Sequence, residues 1–160
     1  MAQEKEINET PWMSWLEDNI GQKEVPGKDG NNPFITEMFN YTSLKGHPLA
    51  LLDETAWCAA CANAALVKNG FEGTNSAAAS SFETCGQQIS KLKYGAIVVL
   101  KRANNRRHVT FFVEYADDEH MTCLGGNQHN ALDKSLYKIA DMVAIRWPTP
   151  IKTKSGMRQS

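Results

Sequence analysis

Hydrophobic and polar positions divide the chain into two textures. From residue 96 onward, apolar and β-branched residues come in short runs, "AIVVLKR" (96–102), "HVTFFVEYA" (108–116), "HMTCLGG" (120–126) and "DMVAIRWP" (141–148), separated by the turn-like "ANNRR" and "ADDE". Such runs predict four strands joined by short turns, an antiparallel meander. The first half reads as helical. "EINETPWMSWLEDNIGQKEVPG" predicts a short helix with Thr10 as N-cap, Pro11 at the first helical position and Gly21 at the stop, burying Trp12, Met13, Trp15, Leu16 and Ile20. Asn32 and Pro33 repeat the start signal in "NNPFITEMFNYTSL", and "WCAACANAALVKNG" (57–70) is an Ala-rich helix ending at Gly70, with Asp53, Glu54 and Thr55 as candidate caps. "TNSAAASSFETCGQQI" (74–89) predicts one more small-residue helix leading into a loop. Helices followed by a meander indicate an α+β fold in a single domain over residues 1–160, with a core at about 11–148 and a polar, frayed tail from 149 to 160.

Composition narrows the functional classes. With 42% hydrophobic residues the chain can bury an ordinary core, and a net charge of −1 gives no electrostatic reason to expect nucleic acid or an anionic membrane as partner. No apolar run approaches the ~20 residues that span a bilayer, so membrane insertion is not expected. "MAQEKEINETPW" has neither the basic nor the apolar region of a secretory signal, which predicts synthesis in the cytoplasm. Work elsewhere would require another machine to carry the protein, or lysis to release it.

Candidate chemistry centres on the cysteines Cys58, Cys61, Cys85 and Cys123. "WCAAC" has the Trp-Cys-x-x-Cys form of thioredoxin-like proteins, but no proline falls between Pro48 and Pro148, where such folds set a cis-proline against the pair. A structural zinc site needs a second close pair of ligands, and Cys85 and Cys123 stand apart. Cys61, Cys85 and Cys123 read as small buried hydrophobes. Cys58 differs by position: in the first turn of a helix, the dipole and unpaired N–H groups favour thiolate and can hold an oxyanion. Among His47, His108, His120 and His129, the best base is His108, at the head of a predicted strand. The next strand ends in "CLGGNQ" and delivers Asn127, able to accept from an imidazole N–H and fix its tautomer.

The ordered fragments "GQKEVPG", "DETAWCAACANAALVKNG", "GAIVVLKR", "HVTFFVEY", "LGGNQ" and "IRWP" span roughly residues 11 to 148. In them the chain resembles the NlpC-type peptidoglycan hydrolases and the related CHAP amidases, small papain-like cysteine enzymes ordered as Cys-bearing helix, His-bearing strand and polar third residue. The resemblance implies a papain-like fold, with the Cys helix packed on an antiparallel sheet, and catalysis by Cys58, His108 and Asn127. Related enzymes use His, Asn, Gln, Glu or Asp in the third place. Substrate contacts would come from Asp53, Glu54, Trp57 and Gln128; Asp53 and Glu54 could hold a free amine of the substrate, and serve equally well as helix caps. Cys61 departs from the pattern, since relatives usually carry Phe there, and leaves room for a disulfide or a regulatory thiol.

The implied activity is cleavage of an amide in the peptide stem of bacterial peptidoglycan, commonly between D-glutamate and the diamino acid, without cofactor or metal. Two delivery routes suit it: injection by a type VI secretion apparatus as an antibacterial effector acting in the periplasm, with an immunity protein as inhibitor, or release as a phage lysin. The absence of a wall-binding repeat favours the effector. Competing classes are a dithiol oxidoreductase using Cys58 and Cys61 and a catalytically silent binding domain of the same fold.

Overall fold

A computed structural model describes residues 8–23, 32–45 and 57–152 of the chain. Three helices, α1 (Pro11–Asp18), α2 (Pro33–Met38) and α3 (Cys58–Val67), precede six strands: β1 (Gln87–Gln88), β2 (Ile97–Arg102), β3 (Arg106–Tyr115), β4 (His120–Gln128), β5 (Ala131–Lys138) and β6 (Met142–Trp147). The strands form one antiparallel sheet in the order β1-β6-β2-β3-β4-β5. The α+β class expected from the hydropathy pattern is therefore the class observed. Among the described residues, no helix is long and apolar enough to cross a membrane.

Local signals account for most boundaries. Asn32 caps α2 by accepting from the Phe34 backbone N–H at 2.9 Å. Asn104 and Asn105 between β2 and β3, and His129 and Asn130 between β4 and β5, take positive φ values of 57° to 61°. That left-handed geometry matches the twist of paired strands and suits Asn better than most residues. In α1, Trp12, Met13 and Leu16 are buried, whereas Ile20, expected in the same stripe, lies beyond the helix end and is 40% exposed. Trp12 locks the helix down: its indole donates to Gly95 O at 2.9 Å, and its ring meets Phe71 and Trp147 edge-on, with centroids 4.8 and 5.5 Å apart.

Every residue of α3 from Cys58 to Leu66 is buried, as expected of a helix that is apolar all round. Its one polar side chain, Asn63, is satisfied by accepting from Thr74 N at 2.7 Å and donating to Ser76 O at 2.9 Å. The helix packs on the face of the sheet that carries Ile97, Val99, Val109, Phe111, Leu124 and Leu132. A second cluster, with Val98, Leu100, Phe112, Met121 and Cys123, fills the opposite face.

Four expectations need correction. The segment 74–89 forms no α-helix but a 3₁₀ turn at Ala79–Thr84 followed by β1, its first residues being tied to Asn63 rather than to a helix ladder. "ALDKSLYK" forms the edge strand β5, whose alternating exposed polar residues hide it from a search for apolar runs. The two-residue β1 was too short to predict. Residues 149–151 are not frayed: Thr149 O accepts from Glu72 N at 2.8 Å, Ile151 N donates to Gly70 O at 2.9 Å, and Pro150 bridges Phe71.

Candidate active site

Cys58 opens α3, following the non-helical Trp57 (φ −119°, ψ 14°). The backbone N–H groups of Cys58 itself, Ala59 and Val109 lie near its sulfur and favour the thiolate. The Val109 N–H belongs to the peptide that joins it to His108, so the thiol lies beside the strand that carries His108. A break in the sheet makes room for it. Pairing between β3 and β4 stops at Phe111 and Leu124, and β4 then passes beneath the helix start at Gly126. A Cβ there would come within 2.6 Å of Cys61 Cβ and 2.7 Å of the Trp57 ring, so only glycine permits this approach.

His108 lies opposite Leu100 and alternates with Val109, which directs it to the face of the sheet away from α3. It is 6% exposed. Its Nε2 stands 3.0 Å from Gln128 Oε1 and 3.2 Å from the Tyr137 hydroxyl. The Gln128 amide is oriented by its other end, since Nε2 donates to Cys123 O at 3.1 Å and to Asp133 O at 2.6 Å. Oε1 must then accept, so the neutral imidazole carries its proton on Nε2 and leaves the Nδ1 lone pair available as a base.

The electrostatics set a neutral resting pair. Burial pushes the Cys58 thiol up, against the pull of the three N–H groups and the Arg102 charge. Burial also brings His108 down to about 4, with the Gln128 hydrogen bond opposing and the Arg102 charge adding to the shift. Tyr137 is pushed up by burial, while the Arg102 charge acts in the opposite sense. One guanidinium thus acts on thiol, imidazole and phenol together.

No family model, curated protein or solved structure matches the chain. The site is therefore judged on its own geometry. The Cys58 sulfur lies near the His108–Val109 peptide, while the His108 side chain turns to the opposite face of the sheet. The side chain on the imidazole is that of Gln128 and not Asn127. Asn127 takes a positive φ of 59°, in an irregularity of the β4–β5 register between Gly125 and Gln128, and this turn of the chain hands the inward position to its neighbour. Gln128, expected among the substrate contacts, is 2% exposed and serves the histidine. Trp57, expected likewise, is fully buried against Gly126. His47, Asp53, Glu54 and Thr55 lie outside the described residues. Tyr137 and Arg102 escaped the sequence reading, Tyr137 because β5 was not recognised, and Arg102 because a strand-end cation in "LKRANNRR" reads as a solvated surface.

Proposed function

We propose that the protein is a papain-like cysteine hydrolase that cleaves an amide bond in the peptide stem of peptidoglycan, by way of an acyl-enzyme on Cys58. The observation that carries this reading is the imidazole of His108, held by Gln128 in the tautomer with a basic Nδ1, on the residue next to Val109, whose backbone N–H lies near a thiol in the first turn of a helix. The stem-peptide substrate, between D-glutamate and the diamino acid, and the periplasmic site of action rest on the sequence resemblance.

Because the resting pair is neutral, His108 takes the thiol proton as sulfur attacks the amide carbon, rather than before. Backbone N–H groups at the start of α3, that of Cys58 among them, stabilise the tetrahedral oxyanion. His108 then returns the proton to the leaving amine. Water, deprotonated by the same imidazole, releases the acyl group and regenerates the thiol.

A dithiol oxidoreductase has less support. Cys61 is 1% exposed beneath Gly126, whereas the resolving thiol of a dithiol enzyme has to be accessible. Substitution separates the two readings: Cys61→Ser keeps most of the activity of a hydrolase and removes that of a dithiol enzyme. The direct biological test is expression with a periplasmic leader in a Gram-negative host. The wild type is expected to lyse the cells, with Cys58→Ala harmless at equal abundance and the cytosolic wild type nearly so; equal lysis by wild type and Cys58→Ala in the periplasm would refute the reading.

A further inference from the structure

The β2–β3 hairpin places two arginines side by side at the edge of this site. Arg102 and Arg106 are direct cross-strand partners, two positions along from the Leu100–His108 pair and hence on the same face of the sheet as His108. Both are exposed. Like charges directly opposite one another destabilise a sheet, and among the described residues no carboxylate forms an ion pair with either. The neighbouring Arg107 contrasts with them: it alternates to the other face and is held by Glu83 at 2.9 Å. Arg102 is also near enough to the site for its charge to act on Tyr137, whose hydroxyl is 3.2 Å from His108 Nε2.

We propose that Arg102 and Arg106 form an anion-binding subsite that grips a free carboxylate of the peptide substrate close to the scissile amide. Paired guanidiniums present a planar array of donors that a carboxylate satisfies bidentately, and the bound anion would relieve the repulsion between them. Arg102 disfavours a charged His108, so a carboxylate seated on it also eases proton uptake by the imidazole. Recognition and base strength are thereby linked through one side chain. The subsite selects peptides with a free carboxylate over the same peptides carrying a neutral carboxamide.

The choice of peptide rests on the hydrolase reading. The test uses two synthetic stem peptides with a γ-linked D-glutamyl residue, one with its α-carboxylate free and one with it amidated. Their binding to full-length Cys58→Ala protein is measured by calorimetry at low salt, alone and combined with Arg102→Gln, Arg106→Gln or Arg107→Gln. The acid is expected to bind about tenfold more tightly than the amide. That preference should vanish with Arg102→Gln, weaken with Arg106→Gln and persist with Arg107→Gln. Equal binding of the two peptides, or a preference unaffected by Arg102→Gln, overturns the subsite. If the preference follows the arginines while wild-type protein cleaves neither peptide, the subsite stands and the hydrolase reading on these peptides falls.

Discussion

Gln128 does the least visible chemistry and the most positioning. Its amide makes three hydrogen bonds, to His108, Cys123 and Asp133, and removing it leaves two carbonyls and a buried imidazole short of partners. Gln128→Ala should lower kcat/KM on the order of 10²-fold or more by freeing the imidazole tautomer, whereas Asn127→Ala should cost far less; steady-state kinetics on a released amine would check both. His108 itself predicts a pH dependence of stability. Its folded value of about 4 lies below the ordinary 6.5, so between those values the unfolded chain binds more protons. The stability contributed by neutral His108 is present above about pH 6.5 and is lost as pH falls toward 4, by up to about 3 kcal/mol. Urea unfolding across this range should show that slope in the wild type and a shallower one in His108→Gln. The placement of Cys58 in a first turn and of His108 at a strand head was legible, but the surroundings of His108 were not. A register irregularity decides whether residue 127 or 128 faces inward, and that depends on strand pairing the sequence pattern does not reveal.

Among the elements, α3 and β4 depend most on each other. Gly126 allows the strand to pass under Trp57 and Cys61 with no space for a side chain, so Gly126→Ala should destabilise the fold by about 1–3 kcal/mol through overpacking. Denaturant midpoints would measure this, and activity should fall further than stability alone accounts for, since the same contact seats the Cys58 turn. Small residues on the helix and "LGG" on the strand are the sequence trace of this approach. Strands buried on both faces, such as β2 with Ile97, Val98, Val99 and Leu100, announce themselves as apolar runs. The edge strand β5 does not, because Lys134, Leu136 and Lys138 lie on a face turned to water and Asp133 and Ser135 interrupt the other. With it, Tyr137 was missed.

At the scale of the whole molecule, the helical half supplies the proposed nucleophile at a helix start, and the antiparallel half supplies the proposed base, the side chain that holds it and a pair of arginines. They meet where the β3–β4 ladder opens. The order of these parts was legible because each carries its own local pattern; their meeting point was not, because it is made by an interruption in pairing between residues far apart in sequence. The central claim is that Cys58 is the nucleophile of a wall-peptide amidase, and the most direct measurement is digestion of purified peptidoglycan sacculi, with the soluble fragments identified by mass spectrometry. Wild-type protein should release stem fragments with a new amine and a new carboxylate at a single amide position, and Cys58→Ala at the same concentration should release none. Intact sacculi after wild-type treatment, or the same fragments from Cys58→Ala, would contradict the account.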